Sequence, residues 1–132
     1  MADCIFCKII KGEIPSYTVY EDEKVKAFLD TNPKTNGHLL LVPKEHKKTI
    51  LDMDRDTLGY MITIIQEKLY PILKEKLNIE GLTLSQNNFL GQDVPHFHIH
   101  LIPRYTNDNL TFLSNTNQLE KIEDVYEKLK DK

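Results

Sequence analysis

The chain of 132 residues has only two cysteines, no excess of basic residues and no long apolar run. Each shortage excludes something. With 17 Lys and Arg against 20 Asp and Glu the formal charge is -3, so the electrostatic footprint of general nucleic-acid binding is missing. No stretch approaches the roughly 20 apolar residues of a membrane span, and no membrane partner is expected. The opening Met1-Ala2-Asp3-Cys4-Ile5-Phe6-Cys7 lacks a basic segment followed by an apolar run and a cleavage site. A signal peptide is therefore not expected, and a cytoplasmic location is. In that compartment two cysteines favour metal binding or free thiols over a disulfide. Low-complexity tracts and internal repeats are also missing, and the length suits one domain over residues 1–132 with a proper core.

What is present concentrates between residues 94 and 104, Val-Pro-His-Phe-His-Ile-His-Leu-Ile-Pro-Arg. His96, His98 and His100 alternate with Phe97, Ile99 and Leu101. Alternation predicts a half-buried strand, with the imidazoles on one face and the apolar residues packed behind them. Upstream, Gly81 to Asn87 reads as another strand. A short polar turn, Asn88 to Asp93, joins the two into an antiparallel hairpin. Asn87, Gln92 and the loop amides then offer donors for an anion beside the imidazoles.

The rest of the chain supplies the frame. Gly12 to Ser16 is a turn, and Tyr17 to Tyr20 and Lys24 to Leu29 form a hairpin around Glu21-Asp22-Glu23. Asp30 closes the second of these strands, either as loop punctuation or as a carboxylate for sugar hydroxyls. His38 to Pro43 is a nearly continuous apolar run that suits a central strand. Asp54 to Thr57 cap a long helix whose Leu58, Met61, Ile62, Ile65, Leu69, Ile72 and Leu73 make one stripe, with a kink or break at Tyr70-Pro71. Tyr105 to Thr116 reads as surface loop, and Leu119, Ile122, Val125, Tyr126 and Leu129 as a short C-terminal helix. The fold class is α+β: an antiparallel sheet of about five strands, a long helix and a short C-terminal one.

Cys4 and Cys7 form a C-x-x-C, which fits half a zinc site, a redox pair or two buried apolar residues. The alternating histidines support a catalytic metal with an open position, or a nucleophilic His98 oriented by its neighbours. A histidine-rich strand without function is the plain alternative.

The segment 95–102 resembles the histidine-triad motif, His-x-His-x-His followed by apolar residues. Residues 4–15, 27–30 and 37–46, together with Gly91-Gln92 and Ile102-Pro103-Arg104, resemble the other landmarks of the histidine-triad (HIT) family, and the Hint-like branch in particular. That resemblance implies a HIT-like fold, commonly paired as a homodimer, acting on purine nucleoside 5′-monophosphate esters, amides or anhydrides. It assigns His98 as nucleophile, with His100 and His38 binding phosphate and assisting the leaving group. Asp30 takes the ribose, Ile5, Phe6, Ile9, Ile14, Phe28 and Leu29 wall the base, and Asn87 and Gln92 contact phosphate. It also implies a structural zinc on Cys4, Cys7, His46 and His96. A nucleotide-binding scaffold with little turnover, or a hydrolase using a metal on the triad, are the other functional classes. Asp93 departs from the small hydroxyl residue that many phosphoramidase-type members carry at its position.

Overall fold

A computed structural model describes residues 4–130. Met1, Ala2 and Asp3, which opened the leader reading, and the last two residues of the expected 1–132 domain lie outside the described residues.

Five strands form one antiparallel sheet: β1 (Thr18–Glu21), β2 (Val25–Leu29), β3 (Leu39–Pro43), β4 (Gly81–Ser85) and β5 (Ile99–Arg104), in the order β1-β2-β3-β5-β4. The α+β architecture expected from the sequence is the one observed. β3 lies at the centre and is buried along its whole length, as its unbroken apolar run requires.

The two faces of the sheet are covered differently. On one face, Val25, Ala27, Leu39, Leu41, Ile99 and Leu101 meet Met61, Ile64, Ile65, Leu69 and Leu73. Those residues belong to a long helical stretch: α2 (Arg55–Ile64), a π-helical turn (Ile65–Leu69) and α3 (Tyr70–Leu77). Asp54 caps α2 by accepting the Thr57 N–H at 2.9 Å. The disturbance expected at Tyr70-Pro71 is that π turn. The Tyr70 N–H reaches back to the Ile65 carbonyl, and Pro71, with no N–H to place, falls in the first turn of α3. Ile62, counted into the apolar stripe, is instead exposed, and Ile64 faces the sheet in its place.

On the other face lies α1 (Ile5–Ile10), which packs Phe6, Cys7 and Ile9 against Phe28, Leu40 and Val42. Six residues are too few for a helical period to show in the sequence, and the pattern gives no sign of it. Its first turn is closed by sulfur: the Cys7 N–H donates to Cys4 Sγ at 3.3 Å.

The histidine segment departs from its expected form. β5 begins at Ile99, so His96 and His98 precede the strand, and residues 86–98 make a long connection where a tight turn was expected. The cause lies in β3. The ladder runs Leu39↔Leu101, Leu40↔His100, Leu41↔Ile99; continued, this register would set Val42 opposite His98 and Pro43, which has no N–H, opposite Phe97. The Phe97 N–H donates instead to the Lys47 carbonyl at 2.6 Å. The alternation survives, because Phe97, Ile99 and Leu101 all join the helix-side core. The imidazole face is not half-exposed, however. α1 covers it, and His96 and His98 are buried.

The C-terminal helix forms as α4 (Ile122–Leu129), and Ile122, Val125, Tyr126 and Leu129 all remain exposed. No helix among the described residues is long and apolar enough to cross a membrane.

Candidate functional site

The five histidines separate into two clusters. In the first, His96 Nε2 donates to the Pro43 carbonyl at 2.9 Å, which leaves the lone pair on Nδ1. That Nδ1 lies 3.4 Å from Cys4 Sγ, 3.6 Å from Cys7 Sγ and 3.2 Å from His46 Nδ1. Cys7 Sγ lies 3.2 Å from His46 Nδ1. Two sulfurs and two nitrogens around a tetrahedral zinc would stand roughly 3.3–3.8 Å apart, so the donor set fits in both number and spacing. The carbonyl behind His96 is the support that fixes a metal-binding tautomer. Burial pushes His96 down to about 4 and lowers His46, and it raises the Cys7 thiol. The rings are therefore neutral near pH 7, as ligands must be, while thiolate formation would draw on the cation's charge.

The second cluster runs in the opposite sense. His98 Nδ1 donates to the carbonyl of His96 at 2.7 Å, so its Nε2 keeps the lone pair. His38 Nδ1 accepts the Lys34 backbone N–H at 3.0 Å, which puts the His38 proton on Nε2. That Nε2–H donates to His100 Nδ1 at 2.9 Å, so the remaining His100 proton sits on Nε2. One backbone amide thus sets the tautomers of two rings. The approach to His38 depends on Gly37, at φ +89°, where a Cβ would stand 2.5 Å from Leu77 Cδ1. It is the positive φ, more than the Leu77 methyl that could swing aside, that favours glycine here. Burial lowers both His38 and His100, opposed by Asp30, whose carboxylate lies 3.6 Å from His38 Nε2.

Two adjoining hollows flank this cluster. A polar cleft of about 440 Å³ is lined by Asp30, Asn32, Lys34, His38, Asn87 and His100 among others. An apolar hollow of about 240 Å³ is lined by Ile5, Phe6, Ile9, Phe28, Leu29 and Leu40 among others. Asp30 and Asp93 line both and mark the junction. Phe6 stands edge-on to His98, with ring centroids 5.0 Å apart.

Most of the residues singled out in the sequence come together here; Ile14 and Gln92 do not, and His98 is buried and in neither wall. Ile14 packs partly buried against the α1-side core and is not in the hollow's wall. The Gln92 amide is engaged within its loop, accepting from the Phe89 N–H at 3.2 Å and donating to the Lys48 carbonyl at 2.6 Å. Sequence reasoning missed Lys34 and Ser85, and also Leu110, Thr111 and Phe112 of the tail, which reach the polar cleft. A bidentate pair places that tail: Arg104 Nε and Nη2 reach Asp108 at 2.7 and 3.1 Å, and Nη2 also donates to the Leu110 carbonyl.

A family model described as the HIT domain matches residues 11–107. The chain belongs to the HIT family. It is 50% identical over 107 residues to an uncharacterised HIT-like protein of Methanocaldococcus jannaschii, covering 80% of this chain and 81% of that one. It is 38% identical to an adenosine 5′-monophosphoramidase of Candida albicans, covering 98% of this chain and 91% of the relative. Among solved structures, a zinc-bound histidine triad family protein from Mycobacterium smegmatis superposes with a TM-score of 0.78 at 32% identity, over 86% of this chain and 84% of that one. The HIT sheet, with its long helix, is therefore the fold of this chain.

Proposed function

We propose that this HIT protein is a nucleotide hydrolase that cleaves purine nucleoside 5′-monophosphate derivatives through a nucleotidyl intermediate on His98. One observation carries the reading: His98 has its Nδ1 proton committed to a main-chain carbonyl, which leaves the Nε2 lone pair 3.5 Å from Asp93, a residue that lines both hollows. In the first step Nε2 attacks the α-phosphorus, the bond to the leaving group breaks, and the His100 Nε2 proton passes to the leaving atom. His38, held by the Lys34 amide, keeps that proton on His100 Nε2 by donating its own Nε2–H to His100 Nδ1. In the second step water attacks phosphorus and returns one proton to His100 Nε2, the bond to His98 breaks and AMP or GMP is released. A lone pair on His98 Nε2 and an N–H on His100 Nε2 are what the nucleophile and the proton donor require.

The hollows suit the substrate's parts. A purine fits among Phe6, Ile9, Phe28 and Leu29, the Asp30 carboxylate suits ribose hydroxyls, and Asn87 stands on the phosphate side. The leaving groups this chemistry serves are phosphoramidate amines, the second nucleotide of a dinucleoside polyphosphate, and the acyl groups of acyl-adenylates. The name of the Candida albicans relative supports the first. Cys4, Cys7, His46 and His96 would hold a structural zinc that buttresses α1 against the histidine segment. We further place the protein in the cytoplasm as a single-domain homodimer, without nucleic-acid or membrane partners.

A catalytic metal on the triad is disfavoured by the tautomers. Asp93, His98 and His100 bring ligand atoms within 4.8 Å of one another. His100, however, offers an N–H there, its lone pair being bonded to His38. The test is AMP release from a panel of adenosine phosphoramidate, diadenosine polyphosphate and an acyl-adenylate, with mass spectrometry of the quenched enzyme. An AMP adduct on His98 that chases to free AMP is expected. Bound nucleotide without adduct or turnover would leave a binding module, and loss of activity on mild chelation would restore the metal reading.

A further inference from the structure

The polar cleft carries a charge balance unsuited to a plain phosphate site. Its lining holds two carboxylates, Asp30 and Asp93, against a single ammonium, that of Lys34. The histidines beside them are neutral near pH 7 where burial acts on them, as at His38 and His100. Asp93 is the sharper case. Its carboxylate stands 3.5 Å from His98 Nε2, about where an attacked phosphorus must arrive. Its side chain is 74% exposed, so neither packing nor folding demands an acid there.

The backbone beneath Asp93 is nevertheless fixed. Gln92 is tied to Phe89 and Lys48 on both ends of its amide, and Gly91 takes φ +97° to turn the loop. When substrate arrives, the Asp93 side chain can rotate away from Nε2, but its anchor cannot. The negative charge therefore stays within a few ångströms of the phosphoryl group. At such distances one extra charge on the ligand changes its binding by roughly fivefold or more, even with solvent screening.

We propose that Asp93 is a charge filter, a specificity-determining residue that disfavours a doubly charged phosphate beside His98 and so favours singly charged α-phosphorus amides and diesters over the nucleoside monophosphate product. The inference rests on the nucleotide reading above and deepens it. Substrate amides and diesters carry one charge on that phosphorus, whereas the monophosphate carries nearly two above pH 7. The filter would therefore expel product without rejecting substrate.

The experiment compares binding of AMP and of its 5′-phosphate methyl ester, which has the same base and sugar but one charge fewer. Both are titrated at pH 8 and low salt into the wild-type protein and into Asp93→Asn and Asp93→Ser. The two variants are expected to bind AMP at least tenfold more tightly and the methyl ester only about threefold more tightly, with the gap narrowing as salt rises. Equal tightening of both ligands, or none for AMP, would overturn the filter. If no protein binds either ligand at millimolar concentration, the nucleotide reading fails, and the filter with it.

Discussion

His96 and His98 are two residues apart on one segment, both buried, yet they present opposite ring nitrogens. His96 gives its Nε2 proton to the Pro43 carbonyl and turns Nδ1 to the cysteines, whereas His98 gives its Nδ1 proton to the His96 carbonyl and turns Nε2 toward Asp93. The side chain is the same and its role is set by which main-chain oxygen it meets. The thiol-lined cluster thereby presents the donor set of the proposed zinc site, and the other cluster the N–H and lone pair that the proposed reaction needs. Perturbing one cluster at a time should therefore separate stability from turnover.

The largest effect is expected from His98→Ala. Removing the proposed nucleophile should lower kcat/KM by on the order of 10⁴-fold and abolish the nucleotidyl adduct. The melting temperature should stay within a few degrees, since a small cavity replaces a ring whose only hydrogen bond is local. Steady-state AMP release and calorimetry check both halves, and an active variant would remove His98 from the chemistry. Next comes His38→Ala, which deletes the ring that donates to His100 Nδ1. Freed to choose its tautomer, His100 loses part of its time as an acid, and kcat should fall by roughly 10²-fold. That drop should shrink for substrates with good leaving groups, which need no proton; a uniform drop would make His38 merely structural.

Cys4→Ser tests the other cluster and should affect turnover less. It removes one of the four proposed ligands and should therefore remove the zinc detectable by elemental analysis. The melting temperature is expected to fall by about 10 °C, corresponding to ~2–4 kcal/mol, while kcat changes only a few-fold. Full zinc content in the variant would refute the ligand set.

The sequence made the sheet, its strand count, the long helix and both clusters legible, because period-2 and period-3.6 patterns are local. Tertiary context decided the rest. That Pro43 would deny β5 a ladder partner, and so release His96 and His98 from the strand, depends on a register between residues about 55 apart in the chain. α1 is too short to announce itself, yet it converts an exposed imidazole face into a buried one. Gln92 sits where spacing placed a phosphate contact, but the Lys48 carbonyl, distant in sequence, takes its amide. Nothing in the composition of Leu110 to Phe112 says that the Arg104–Asp108 pair returns the tail to the cleft.

The smallest expected effect is a pH dependence of stability in the zinc-free protein, where the two clusters should act alike. Burial holds His38, His46 and His100 below their ordinary value and His96 at about 4. An unfolded chain takes up these protons near pH 6.5. Between 6.5 and the folded values the unfolded state binds more protons, so acidification through that window favours it. Stability should be flat above about pH 7 and decline as pH falls from 6.5 toward 4. Thermal melts of chelated protein or of Cys4→Ser across that range provide the check. Constant or rising stability on acidification would mean that the rings are solvated, and the tautomer argument separating the clusters would lose its footing.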